Sequence, residues 1–351
     1  MYPTVASRKN KPVPVAGHNF RTRSSCNFPF FPYLCPMETF DIHILGCGSA
    51  LPTTRHFATS QVVNIREKLF MIDCGEGAQM QLRRSKLKFS RLNHIFISHL
   101  HGDHCFGLMG LISTFGLLGR TATLYIHCHP ELERLLTPQL DFFCKGMTYD
   151  VKFETFDPRQ EAVVYEDRSV TVTTLPLRHR LPTCGFLFAE KQTPAHIRRD
   201  MIDFYHIPVF ELNRIKNGAD YVQPDGTVIP NGRLTTPSDP ARRYAYCSDT
   251  CYLPQLAEKL TGIDLLFHEA TFAESEQARA RETCHSTARQ AAQVARDAQA
   301  RQLVIGHFSA RYEDESLLLQ EAREVFPNTI LAQENLKISI EPIKPSPATW
   351  V

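Results

Sequence analysis

From residue 40 onward, short apolar runs recur between glycine-rich turns. Met37-Glu38-Thr39-Phe40-Asp41-Ile42-His43-Ile44-Leu45 alternates apolar with polar positions, which predicts a strand with one buried face. Residues 61–65, 69–73 and 94–98 are too short for helices and rich in β-branched and aromatic side chains, so they read as buried strands. Further strands are expected at 169–175, 243–247, 264–267 and 302–305. They alternate with helical stretches at 105–119 and 286–298, with Ser286 placed to cap the second. The alternation predicts an α/β fold in which helices cover the sheets. No internal repeat is present.

Two segments break this rhythm. Residues 1–36 carry Pro3, Pro12, Pro14, Pro29, Pro32 and Pro36 without helix or strand period, and are expected to be a disordered or non-native extension, with Met37 as an alternative start. Phe28-Pro29-Phe30-Phe31-Pro32-Tyr33 is read as part of that linker rather than as a docking motif. Residues 37–351 then form one domain. Within it, 190–239 holds Pro194, Pro208, Pro224, Pro230 and Pro237 with Asn217-Gly218, Asp225-Gly226 and Asn231-Gly232 turns, the pattern of a long irregular insertion that is functional or mobile.

Composition adds few constraints. A chain of 351 residues, 43% apolar and 22% charged, can bury a large core, and its net charge of +2 confines any nucleic-acid binding to local basic surfaces. One such surface is Arg83-Arg84-Ser85-Lys86-Leu87-Lys88, readable as a helix end or as an RNA track. Eleven cysteines lie between Cys26 and Cys284 with no C-x-x-C pair, which suits reduced thiols in a cytoplasmic protein. None looks like a nucleophile. No apolar run approaches the roughly 18 residues of a membrane helix.

The chemistry concentrates in Ser98-His99-Leu100-His101-Gly102-Asp103-His104, just after a predicted strand and before a helical run. Three imidazoles and a carboxylate in six residues cannot all wrap one ion without strain, so two neighbouring zinc ions are expected. His179, Asp249, His268 and His307 each stand where a later strand meets a loop, the way a sheet edge collects ligands distant in sequence. His43, His56, His94, His196 and His206 are read as ordinary core or surface imidazoles, and His127-Cys128-His129, which lacks a following Asp-His, as structural.

Over residues 40 to about 340 the chain resembles ribonuclease Z, the tRNA 3′-processing endonuclease family of the metallo-β-lactamase fold. The resemblance rests on Leu45-Gly46-Cys47-Gly48-Ser49-Ala50-Leu51-Pro52-Thr53, Asp73-Cys74-Gly75-Glu76-Gly77, the His99 to His104 motif with Gly107-Leu108, Ser248-Asp249-Thr250, His268-Glu269-Ala270-Thr271-Phe272 and His307-Phe308-Ser309-Ala310-Arg311-Tyr312. It implies an αββα sandwich with an inserted tRNA-binding arm. It implies His99, His101 and His179 on one zinc, Asp103, His104 and His307 on the other, and Asp249 bridging. Asp103 would accept the proton of the attacking water, and His268 would donate to the leaving 3′ oxygen. Asp73 and Glu269 would brace these groups from behind. His285 would orient His268 or contact RNA, with a capping role for its loop equally open.

The implied reaction cuts precursor tRNA after the discriminator base, leaving a 3′ hydroxyl on the tRNA and a 5′ phosphate on the trailer. The implied assembly is a homodimer in which one subunit's arm serves the other's metal site, without membrane or nucleotide cofactor. The arm departs from the bacterial pattern, since Ile207-Pro208-Val209-Phe210-Glu211-Leu212 stands where a Gly-Pro pair is usual. Arg198, Arg199, Arg214 and Lys216 are its expected phosphate contacts, and Arg311 is expected beside the cleaved bond. Rival readings are a small-molecule phosphodiesterase, arylsulfatase-like hydrolase or lactonase on the same fold, and a non-catalytic RNA-binding subunit.

Overall fold

The structure is a computed structural model that describes residues 38–343. The predicted N-terminal extension lies outside them. Six strands come first: β1 (Phe40–Gly46), β2 (Ser60–Ile65), β3 (Lys68–Ile72), β4 (Leu92–Phe96), β5 (Leu124–Cys128) and β6 (Val151–Thr155). Next are β7 (Val163–Glu166), β8 (Val170–Pro176) and β9 (Cys184–Glu190), then four two-residue strands, β10 (His196–Ile197), β11 (Tyr221–Val222), β12 (Val228–Ile229) and β13 (Thr235–Thr236). The chain closes with β14 (Arg243–Cys247), β15 (Leu265–Glu269), β16 (Gln302–Gly306), β17 (Thr329–Leu331) and β18 (Lys337–Ser339).

Two seven-stranded sheets result, ordered β18-β1-β2-β3-β4-β5-β6 and β17-β16-β15-β14-β9-β8-β7. Each is half antiparallel and half parallel, the parallel halves being β3 to β6 and β14 to β17. Strand periodicity sorts the side chains by face. Phe40, Ile42, Ile44, Val63, Ile65, Phe70 and Ile72 enter a core shared with Phe186, Phe188, Tyr244 and Tyr246 of the second sheet. Leu45, Val62, Leu69 and Met71 point the other way, onto the helices Ala78–Arg84, Leu108–Leu117 and Pro130–Phe143. The helices Ala288–Asp297 and Ser316–Val325 supply Ala291, Ala295, Leu318 and Ala322 to the second sheet. This is the expected αββα arrangement.

Two helix boundaries differ from expectation. The 286–298 helix starts at Ala288 and is capped by Thr287, whose hydroxyl accepts from Gln290 N while Gln290 returns a bond to Thr287 N. Ser286 instead donates to Thr250 O. The 105–119 helix is split into Gly102–Cys105 and Leu108–Leu117. At the split, Gly107 N donates to Cys74 O, and a Cβ on Gly107 would lie 2.2 Å from Gly75 O. Only glycine lets the two loops approach this closely.

The 190–239 segment is not irregular. It leaves from the end of β9 and returns at β14, two adjacent strands, and folds into a lobe with helices Arg199–Phe204, Leu212–Lys216 and Asn231–Leu234. Ile207, Ile215, Tyr221, Ile229 and Leu234 form its own small core. Its root is closed by a buried ion pair, Arg242 Nε to Glu190 Oε2 at 2.8 Å and a second Arg242 nitrogen to Glu190 Oε1 at 2.8 Å. The prolines and Asn/Asp-Gly pairs mark its turns but hid these short elements.

Candidate metal centre and active site

The loops that carry chemistry follow β3, β4, β8, β14 and β16, so strands from both sheets converge on one edge. Asp249 and His307 leave their strands with positive φ, 57° and 58°, as does Asp73 at 55°. Such backbone is costly for residues other than glycine and persists where surrounding structure fixes it. Here it turns a side chain sharply from strand end into cleft. The Asp73 and His99 loops are locked together by Cys74 N donating to His104 O at 2.8 Å.

Seven donors meet in two sets. His99 Nε2 lies 2.9 Å from His101 Nδ1 and 3.5 Å from Asp249 Oδ2, and His179 Nε2 lies 3.3 Å from His101 Nδ1 and 3.6 Å from Asp249 Oδ2. His104 Nε2 is 3.4 Å from Asp103 Oδ2 and 3.2 Å from Asp249 Oδ1, while His307 Nε2 is 3.5 and 3.1 Å from the same two oxygens. Ligands about 2.0–2.1 Å from a tetrahedral ion stand about 3.3 Å apart. Both sets have that scale, and the two oxygens of Asp249 divide between them. His104 Nε2 and His307 Nε2 are buried without a hydrogen-bond partner, a deficit that a divalent ion would fill. The donor chemistry thus fits divalent metal binding, with Asp249 standing between the two sets.

The remaining ring nitrogens are held. His99 Nδ1 is 3.0 Å from Ser98 Oγ, His104 Nδ1 2.7 Å from Asp73 Oδ2, His179 Nδ1 2.9 Å from Cys284 O, and His307 Nδ1 3.0 Å from Thr271 Oγ1. These bonds leave Nε2 of each ring free to face a metal. Asp73 also accepts from Ser98 N, Ser98 Oγ and Tyr246 Oη, at 2.8, 2.9 and 2.7 Å. Burial pulls the pKa values of His99, His101 and His179 down, which keeps their lone pairs free for a metal. For Asp103, burial acts upward but His104 and His307 outweigh it, and the carboxylate stays ionised.

His268 does not reach this cleft, contrary to the sequence expectation. It is fully buried inside β15, with Nδ1 2.7 Å from Glu269 O. His285 is the imidazole on the cleft wall. Its Nδ1 lies 2.8 Å from Glu269 Oε1, and its ring stacks 5.3 Å from His307. Burial lowers the His285 pKa, but the Glu269 carboxylate more than offsets it and carries it up to about 9. Glu269 is itself buried and accepts from Thr250 N, Ser286 N and Thr271 Oγ1 at 2.8, 3.1 and 2.5 Å.

The cleft has a volume of about 640 Å³. Arg311 lines it, 5.1 Å over the Phe272 ring and paired with Glu276 at 2.6 Å. Arg180 and Arg279 line it as well, and Phe106 stands beside the metal loop with 75% of its surface exposed. Sequence reasoning missed these three, although Arg180 follows a predicted ligand directly. On the lobe, Arg199 and Lys216 are exposed, whereas Arg198 pairs with Asp200 and Arg214 with Glu211, at 2.8 and 2.9 Å. His127 packs on Phe96, centroids 4.3 Å apart, and bonds His94, while His129 caps the helix Pro130–Phe143. Both are structural, as expected.

Two family models match parts of the chain, the anti-Pycsar protein Apyc1 over residues 40–197 and the beta-lactamase superfamily domain over 233–308. A protein of Phocaeicola vulgatus named ribonuclease Z is 78% identical over 309 residues, covering 88% of this chain and all of the relative. The chain belongs to the ribonuclease Z family. Another ribonuclease Z, from Porphyromonas gingivalis, is 55% identical over 304 residues, covering 87% of this chain and all of that relative. The crystal structure of human tRNase Z, short form, superposes with a TM-score of 0.61 at 24% identity, over 86% of this chain and 99% of that one. The metallo-β-lactamase fold protein YhfI of Bacillus subtilis gives 0.60 at 17% identity, over 86% and 100%. The αββα sandwich is therefore a metallo-β-lactamase fold, and the ribonuclease Z assignment rests on the close relatives.

Proposed function

We propose that this chain is a zinc-dependent endoribonuclease that removes the 3′ trailer from precursor tRNA. The observation that carries the reading is the convergence of seven donors into two sets sharing Asp249, in a member of the ribonuclease Z family. His99, His101 and His179 would hold one Zn²⁺ and Asp103, His104 and His307 the other. Bound there, such ions would supply Lewis-acid chemistry, lowering the pKa of a nearby water and offsetting charge on the phosphodiester. Asp103, ionised at the cleft wall, accepts the proton of the attacking water. The new phosphorus–oxygen bond forms as the bond to the 3′ oxygen breaks. His285, kept protonated by Glu269, supplies the proton to that oxygen, the role the sequence expectation had given to His268. The products are a tRNA 3′ hydroxyl and a trailer 5′ phosphate.

Arg311, Arg180 and Arg279 suit the phosphates flanking the cut, and exposed Phe106 offers a face on which a base can stack. The lobe is the tRNA arm, with Arg199 and Lys216 as free cations and Arg198 and Arg214 available by exchanging a carboxylate for a phosphate. Phe204, Val209 and Phe210 leave apolar surface on it, which supports a homodimer in which the arm of one subunit serves the cleft of the other. Among the described residues no helix is long and apolar enough to cross a membrane, and all nine cysteines are free, as suits a cytoplasmic enzyme.

The test is a purified chain, with and without chelator, given a trailer-bearing tRNA precursor and bis(p-nitrophenyl) phosphate. Chelator-sensitive cleavage at the discriminator base is expected. Hydrolysis of the small ester alone would refute the tRNA reading, and a metal-loaded chain inert on both would favour a binding role.

A further inference from the structure

A second group of metal-type donors lies behind the cleft wall. Cys47 follows β1, His56 sits on the loop leading to β2, and Glu334 lies between β17 and β18. Cys47 Sγ is 3.3 Å from His56 Nδ1 and 3.6 Å from Glu334 Oε1, and His56 Nδ1 is 3.2 Å from Glu334 Oε2. A tetrahedral zinc with a sulfur at about 2.3 Å and nitrogen or oxygen at about 2.0–2.1 Å has sulfur-to-nitrogen or sulfur-to-oxygen edges of about 3.5 Å and a nitrogen-to-oxygen edge of about 3.3 Å. The sulfur and the imidazole nitrogen stand at that spacing from each other, and each stands near it from one Glu334 oxygen, the sulfur from Oε1 and the nitrogen from Oε2.

Hydrogen bonds also join this group, and at two of its atoms they compete. The Cys47 sulfur is fully buried and faces the Ala332 carbonyl at 3.5 Å, the Glu334 carboxylate and His56 Nδ1, while its single S–H can serve one of them. His56 Nδ1 likewise meets both the sulfur and the carboxylate. The surroundings are those of a ligand set. His56 Nε2 is 3.1 Å from Glu315 Oε1, the carboxylate–imidazole relay that orients metal-bound histidines, and Phe57 N donates to Glu334 Oε1 at 2.9 Å. His56 and Glu334 keep 14% and 13% of their side-chain surface exposed, so the group is reachable from solvent at its edge.

We propose that Cys47, His56 and Glu334 form a third metal site, a thiolate-containing site for a zinc-type divalent cation, separate from the catalytic pair. Thiolate and imidazole together select borderline ions such as Zn²⁺ or Co²⁺ over Mg²⁺ or Ca²⁺. The ion would staple three segments far apart in sequence. It would also bear on catalysis from behind, because Phe308 N donates to Cys47 O and Ser49 N to Phe308 O, both at 3.0 Å, directly beside His307.

The test is Co²⁺ titration of the full metal-free chain, followed by absorption spectroscopy and metal analysis. The catalytic centre offers only nitrogen and oxygen, so a near-ultraviolet sulfur-to-cobalt band reports a cysteine-containing site alone. A third equivalent of Co²⁺ with that band is expected, and Cys47→Ser should remove both while two equivalents remain. Glu315→Gln, an exchange on the relay that keeps Cys47 intact and guards against a folding defect in Cys47→Ser, should weaken the third equivalent by about 10–100-fold. Saturation at two equivalents without a sulfur band would overturn the site, as would a band that survives Cys47→Ser or an unchanged third affinity in Glu315→Gln.

Discussion

In the candidate metal centre, four of the five candidate ligand imidazoles are tied at their second nitrogen to a neighbouring hydroxyl, carboxylate or carbonyl. In the lobe between β9 and β14, the cations stand on a five-residue core, and two of the four rest on acidic neighbours a few residues away. The contrast matches what the proposed function asks of each region. Metal ligands need fixed geometry, and fixing it requires burial and second bonds. Phosphate contacts on a long RNA need charge and reach, which exposed side chains supply with little fixed geometry. On the proposed function, one region is organised before its ligand arrives and the other would be completed by it.

The largest effect should come from Asp249→Ala. Losing the shared carboxylate removes a donor from both sets, so metal content should fall from two catalytic ions to one or none and cleavage to background. Full metal content in this variant, by elemental analysis, would contradict the bridging role. Next, His285→Ala should lower kcat on precursor tRNA by about 10²–10⁴-fold, yet affect bis(p-nitrophenyl) phosphate far less, because p-nitrophenolate leaves without a proton. Equal losses on both substrates would remove His285 from the donor role. Glu269→Gln sharpens the point through pH. His285 donates only while protonated, and Glu269 holds its pKa up to about 9, so losing that carboxylate should move the alkaline limb of the kcat profile to lower pH.

Stability should separate the regions as well. Glu190→Ala strands the buried Arg242 guanidinium at the root of the lobe, a change that costs about 3–5 kcal/mol and should be visible in denaturant midpoints. A change under about 1 kcal/mol would mean that the ion pair does not close the root. The smallest effect is expected from Arg199→Ala with Lys216→Ala. Binding of precursor tRNA should weaken, and the slope of log affinity against log salt should flatten by about 1.4–1.8 for two lost phosphate contacts, with hydrolysis of the small ester unchanged. An unaltered slope would take these residues off the RNA path.

Much of the catalytic loop was legible in the sequence because its ligands are adjacent. His99 to His104 lie within six residues at the start of the helix Gly102–Cys105, and His179, Asp249 and His307, which the structure brings beside them, stand where strands meet loops. The same rule failed for His268. β15 runs on through Glu269, two residues past the expected end at Phe267, so His268 is a strand residue with its ring in the core. Successive strand residues face opposite ways, and nothing in a short all-buried strand says which way faces a cleft. His285 was undervalued for a related reason, since its importance comes from Glu269, sixteen positions earlier. The lobe was misread as irregular because two-residue strands and one-turn helices carry no measurable period. His56 looked ordinary because its partners, Cys47 and Glu334, approach only after β18 has closed beside β1.

Local sequence determined what local physics controls: the strands of alternating or continuous apolar residues, the glycines that let the 74–75 and 103–107 backbones touch, and the cluster of zinc-type donors after β4. Tertiary structure alone decided the division of those donors into two sets, the bridging orientation of Asp249, the exchange of His268 for His285 at the cleft and the meeting of Cys47, His56 and Glu334. Each of these depends on distances between strand ends that belong to different sheets or to opposite ends of the chain. A single sequence records which donors exist, but the packing of two sheets sets the few ångströms that make them a site.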